Sequence, residues 1–246
     1  MNQTTVSLAR VDGSRMKAMY CRPNSIAAPV PAVLVIFDFL GMTADLSRIA
    51  ARFVDNGYAV MVPDLYDRKE RRILCVLRAV RAAGRGSGRE YDDLRLAREY
   101  LGAQKEVDST RIAVTGFCMG GGFAIYLGTT GLYKVSAPFY GEVPQDKEKL
   151  RGTCPVIASC GARDAKARLA DAHRLQSHLT QLGVPHDLKI YPDAGHSFMN
   201  RNTGFLAEKV MPYLSMHAEY HEASAEDAWR RLFSFFDVHM SATGNA

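Results

Sequence analysis

Gly116-Phe117-Cys118-Met119-Gly120, with Gly121 and Gly122 directly after it, is the stretch on which the fold turns. The short apolar run Arg111-Ile112-Ala113-Val114-Thr115 precedes it, and an apolar helical pattern from Met119 to Gly128 follows. A strand that becomes a helix within two or three residues turns so tightly that its central residue is strained. Side chains two positions to either side would clash, which is why glycine stands there. The helix that starts at such a turn points free N–H groups and the positive end of its dipole at the central side chain, favouring a thiolate and a developing oxyanion. The pattern is G-x-S-x-G with cysteine in the serine position. On these residues alone, a glycine-rich turn around a buried cysteine is an equal reading. A phosphate-binding loop fits worse, because the G-K-S/T ending and the G-x-G-x-x-G spacing are both missing.

The same strand-then-helix rhythm repeats along the rest of the chain. Val6–Val11 and Met16–Arg22, split by Asp12-Gly13-Ser14, read as a hairpin. Ala32–Phe37 is apolar on both faces, as a buried parallel strand should be, and Asp38-Phe39-Leu40-Gly41 follows it. Asp45–Asn56 reads as a helix with Leu46, Ile49, Ala50 and Phe53 on one side, stopped by Gly57. Tyr58–Val62 is the next strand. One or two helices come after it, broken at Gly84-Arg85-Gly86-Ser87-Gly88, and a helix resumes over Asp92–Gln104. Beyond the glycine turn, strands are expected at Val135–Tyr140, Val156–Cys160 and His186–Tyr191, and a helix from Ala165 to Leu182. Ala225–Met240 closes the chain as a helix, with Trp229, Leu232, Phe233 and Phe236 at helical spacing. This alternation predicts the α/β class, with a mostly parallel central sheet flanked by helices on both faces. No repeat or domain break is visible, so residues 1–246 are read as one domain.

Composition narrows the functional classes. With 47% hydrophobic and 23% charged residues the chain has the make-up of a soluble globular protein. No apolar run approaches the roughly 20 residues that span a bilayer, so no membrane partner is expected. Met1–Arg10 is polar and lacks the apolar core of a signal peptide, making a cytoplasmic location the default expectation. The five cysteines are scattered, without a C-x-x-C pair, so neither a metal site nor a redox dithiol is expected, and no cofactor is implied. The net charge of +5 is modest. Its densest stretch, Arg68-Lys69-Glu70-Arg71-Arg72 followed by Arg78, Arg81, Arg85 and Arg89, lacks interleaved stacking aromatics, so no nucleic-acid partner is expected. It reads as a solvated helix face, or as a basic rim that attracts an anionic small substrate.

Two further segments bear on Cys118. Gly161-Ala162-Arg163-Asp164 follows one predicted strand, and Asp193-Ala194-Gly195-His196-Ser197-Phe198 follows the next. In open α/β sheets functional residues gather beyond the C-terminal ends of strands, and Cys118, Asp164 and His196 each lie just past one. With these three motifs the sequence resembles the dienelactone hydrolase family, over about Met16 to Met240. The resemblance implies an α/β-hydrolase fold, whose nucleophile, acid and histidine run in that chain order. It implies hydrolysis of a small ester or lactone with Cys118 as nucleophile, His196 as base and Asp164 orienting it. The oxyanion hole would be the backbone N–H groups of Phe39 and Met119.

Two positions depart from the family pattern. Where the family carries a glutamate that interacts with the resting cysteine, this chain has Asp38, one methylene shorter, expected to tune the nucleophile. Where the family places an arginine four residues after the histidine, this chain has Asn200, with Arg201 one later as the expected contact for an anionic substrate group. A different class of reading is a non-catalytic small-molecule binder or a thiol redox sensor on the same fold. Retention of both His196 and Asp164 argues against it, since a sensor needs neither.

Overall fold

The computed structural model describes residues 1–201 and 218–241. Eight strands form one sheet: β1 (Asn2–Ala9), β2 (Arg15–Arg22), β3 (Val30–Ile36), β4 (Ala59–Pro63), β5 (Val107–Phe117), β6 (Val135–Phe139), β7 (Val156–Gly161) and β8 (His186–Tyr191). The helices are α1 (Asp45–Asp55), α2 (Arg72–Arg85), α3 (Arg89–Gly102), α4 (Met119–Leu127), α5 (Lys166–Gln181) and α6 (Glu222–His239).

The sheet order is β1-β2-β4-β3-β5-β6-β7-β8. β1 and β2 form an antiparallel hairpin, and β2 joins β4 antiparallel. Every later pairing is parallel. The expected α/β architecture is therefore the observed one. The hairpin starts earlier than the sequence suggested, because β1 is largely exposed and its pairing rather than its burial defines it. The glycine cluster at 84–88 separates two helices, with Gly86 in the left-handed region (φ 75°) ending α2.

The central strands are buried on both faces, as their unbroken apolar runs require: β3 from Ala32 to Ile36 and all of β4, β6 and β7 are inaccessible. On one face, α1 and α6 meet through Phe53, which packs against Trp229, Phe233 and Phe236. On the other, α3 and α4 meet through Tyr91 and Phe123. A smaller cluster that includes Ile125, Leu150, Val156, Leu175 and Leu179 seals α5 against the sheet. Because β3, β5, β6, β7 and β8 all run the same way, the loops after them open at one edge, and that edge carries the site.

Candidate active site

The turn between β5 and α4 has the strain its glycines suggested. Cys118 lies at φ 54°, ψ −112°, a backbone conformation that costs a non-glycine residue about 1–3 kcal/mol and persists only where neighbours over-determine it. They do so by close backbone approach. A Cβ on Gly116 would sit 2.0 Å from the carbonyl oxygen of Gly120, and one on Gly120 would sit 2.2 Å from that of Ile36. Cys118 N–H donates to the carbonyl of Phe139 (3.0 Å), fastening the turn to β6. Met119 is the first residue of α4, so its N–H has no partner within the helix.

Asp164 follows β7 and His196 follows β8. His196 Nδ1 donates to Asp164 Oδ2 at 2.7 Å, and both side chains are buried. The second Asp164 oxygen accepts from the N–H of Ala165 at 2.6 Å, which ties the carboxylate to the start of α5. His196 Nε2 is buried and makes no hydrogen bond among the described residues. Burial works against a charge on this imidazole, but the Cys118 sulfur, the Asp164 hydrogen bond and a contact to Cys118 outweigh it and push its pKa up to about 10.

Cys118 and His196 line one cleft of about 220 Å³ with Phe39, Met119, Gly122, Val80, Ala83, Tyr140, Glu142 and Arg168. Tyr140, itself at φ 44°, sets its ring 5.2 Å from the His196 ring at a tilt of 59°, and its hydroxyl donates to Asn200 Oδ1. The residue four after the histidine therefore anchors a tyrosine beside the imidazole. Tyr66 lies behind two of the lining residues, its hydroxyl donating to the carbonyl of Phe39 (3.2 Å) and lying 3.6 Å from Met119 Sδ. Burial and the charge of Asp38 hold the phenols of Tyr66 and Tyr140 well above their usual range, so both stay neutral donors.

Of the remaining expected residues, Asp38 is buried, with Oδ1 accepting from the N–H of Leu40 at 2.8 Å. Its charge is felt by the same two tyrosines that feel Cys118. Arg201 is not brought to the cleft. Its guanidinium lies 4.4 Å over the ring of Tyr220, donates to the Tyr220 hydroxyl (3.1 Å) and pairs with Glu222 at 3.9 Å. The cation that does line the cleft is Arg168, in the first turn of α5, held by Asp171 at 2.7 Å. Sequence reasoning missed Arg168 and Tyr140. Tyr140 could have been found by the strand-end rule that found the others, since β6 ends one residue before it. Arg168 belongs to no motif.

The chain matches the dienelactone hydrolase family over residues 16–240. The chain belongs to that family. A dienelactone hydrolase of this kind is a hydrolase, and relatives agree in extent. One from Escherichia coli (strain K12), named "Putative carboxymethylenebutenolidase", is 24% identical, covering 91% of this chain and 83% of its own. One of the same name from Saccharolobus solfataricus is 26% identical, covering 91% and 94%. Among solved structures, a dienelactone hydrolase-like promiscuous phosphotriesterase from metagenomic libraries shares the fold at a TM-score of 0.77 and 20% identity, covering 97% of this chain and 99% of that chain. Among the described residues no helix is long and apolar enough to cross a membrane.

Proposed function

We propose that this dienelactone hydrolase family member cleaves a small carboxylic ester or lactone through Cys118, His196 and Asp164, by way of a thioester on Cys118. The observation that supports it most is the meeting in one cleft of a strained cysteine at a helix N-terminus and an imidazole whose far nitrogen is held by a buried carboxylate.

The Cys118 thiolate adds to the ester carbonyl carbon, and the carbonyl π electrons move onto oxygen. The N–H groups of Met119 and Phe39 receive that oxyanion. Its collapse breaks the bond to the alkoxide, which takes the proton held on His196 Nε2. His196, now neutral, removes a proton from water. The resulting hydroxide attacks the thioester and releases the acid. The sulfur leaves as the thiolate, and the proton stays on His196, restoring the starting pair. Asp164 keeps the imidazole in the tautomer and orientation both transfers need.

Asp38 acts in this scheme by tuning the thiolate: a carboxylate near the sulfur disfavours a second negative charge. Asp38→Asn keeps the acceptor for Leu40 and removes the charge, so it should shift the pH profile of Cys118 alkylation. A purely structural Asp38 would leave that profile in place. Arg168, as the cleft-lining cation, is the better placed contact for an anionic group on the substrate. The reaction itself is tested by hydrolysis of an aryl acetate and of a lactone by wild type and Cys118→Ala. Both activities should vanish in the variant, and retention of either removes Cys118 from the mechanism.

A further inference from the structure

Helix α2 has its large aliphatic residues on the wrong side. Ile73, Leu74, Leu77 and Val80 are 60%, 52%, 47% and 43% exposed, while the residues it buries are Cys75, Ala79, Ala82 and Ala83. At 100° per residue the four exposed positions form one stripe. Single exposed aliphatics are ordinary, but a contiguous stripe on one helix marks an interaction surface.

The surroundings of the stripe are basic. α2 contains Arg72, Arg78, Arg81 and Arg85, is preceded by Arg71, and carries no acidic residue. Arg71, Arg81 and Arg85 are exposed and make no ion pair among the described residues. Arg72 instead fastens the helix to the site by donating to the carbonyl of Leu40. At the other end of the stripe, Val80 and Ala83 are part of the lining of the catalytic cleft. The exposed apolar surface therefore runs to the mouth of the cleft.

We propose that α2 docks this protein on an anionic phospholipid surface, with Ile73, Leu74 and Leu77 entering the headgroup–acyl boundary and the arginines on the lipid phosphates. An apolar stripe bordered by unpaired arginines is the pattern of a helix that lies in a membrane interface. The charge separates this occupant from a second copy of the chain. Two α2 stripes face to face would bring the unpaired arginines of both helices together with no acid on either helix to offset them, whereas an anionic lipid surface supplies the counter-charge. Docking here would present the cleft, through Val80, to esters dissolved in the bilayer. No membrane partner is expected from the length of the apolar runs, but a helix that lies on a surface needs no run long enough to span a bilayer. The inference does not rest on which residue is the nucleophile.

The test is co-sedimentation of the full chain with vesicles of phosphatidylcholine alone and of equal parts phosphatidylcholine and phosphatidylglycerol, alongside sedimentation velocity without lipid. Wild type should bind the mixed vesicles at least about ten-fold more tightly than the neutral ones, and release in high salt. Leu74→Glu/Leu77→Glu should lose ten-fold or more in affinity while hydrolysing a water-soluble aryl ester at the wild-type rate, which also shows that it folds. Arg81→Ala and Arg85→Ala should each weaken binding about five-fold. Absence of binding to mixed vesicles, equal binding by wild type and the double glutamate variant, or a wild-type dimer that this variant dissociates would overturn the proposal.

Discussion

Helices α4 and α2 lie against each other, are both rich in aliphatic residues, and place them in opposite ways. Every residue of α4 from Met119 to Leu127 is buried, with Met119 and Gly122 beside the cleft. α2 rests on α4 through alanines and turns its larger residues to solvent. The cause is the closeness of the contact. A Cβ on Gly122 of α4 would already lie 3.3 Å from the Cβ of Ala83, so only small residues fit between the two helices. Gly122, two residues past the turn glycine Gly120, thus helps decide which face of the neighbouring helix is left outside. An apolar stripe tells which residues share a face, and the partner's shape decides whether that face is inward.

The largest effect should follow from spoiling the tight side of this contrast. Gly120→Ala would drive a methyl group into the backbone of β3, 2.2 Å from the Ile36 carbonyl oxygen, and the strand has no flexible side chain to give way. We expect a loss of at least about 3 kcal/mol, read by urea unfolding, or no folded protein at all. Leu77→Ala on the open side is the matching control at the far end of the scale.

Next in size are the residues that answer the cysteine. His196→Ala should lower kcat by about 10²–10⁴-fold with the fold retained, because in the proposed mechanism His196 carries the proton of both steps. Asp164→Asn should also lower kcat by orders of magnitude, since an amide at this distance no longer favours the tautomer with the proton on Nδ1. Full activity of Asp164→Asn in steady-state assays would mean that another group orients the ring.

A smaller and more specific effect is in pH. A histidine free in the unfolded chain titrates near 6.5, and His196 in the fold holds its proton to about 10. The folded state therefore binds this proton more tightly, and the stability it contributes is complete below pH 6.5 and lost as pH rises through about 10. The stability difference between wild type and His196→Gln, measured by urea unfolding across that window, should shrink as pH rises. A difference that stays constant from pH 6 to 10 would show that the imidazole is not held charged.

These expectations differ in how far the sequence alone supports them. The turn at Cys118 was legible because its constraint is local: a strand, a helix and glycines within a few residues permit one geometry. The positions of Asp164 and His196 were legible because the ends of parallel strands converge whatever their spacing in the chain. Arg201 was not, because the direction of a long side chain is decided by what it meets, here the ring and hydroxyl of Tyr220 and the carboxylate of Glu222. Arg168 reaches the cleft from a helix whose periodicity gives no hint of it. The basic stretch was only half legible. Arg68 is buried against Asp93 at 2.7 Å rather than solvated, and Arg78 and Arg89 share Glu70. The exposed aliphatics between them depend on a contact forty residues later in the chain.

The smallest effect closes the comparison of the helices. Leu77→Ala removes a residue that is 47% exposed and should change unfolding stability by no more than about 0.5 kcal/mol, against about 2–5 for a leucine in a packed core. A loss in the core range would mean that α2 is covered in solution and that its stripe is not a surface.

The proposed covalent bond to Cys118 can be read directly. Wild type is mixed with an aryl acetate, quenched in acid during the first turnovers, digested, and its peptides weighed. An acetyl group should appear on the peptide that contains Cys118, decay as turnover proceeds, persist in His196→Ala if any forms there, and be missing from Cys118→Ala. Acetylation of a different residue that rises and falls with turnover, or turnover without any acyl group on Cys118 under quench conditions that preserve a thioester, would contradict the account.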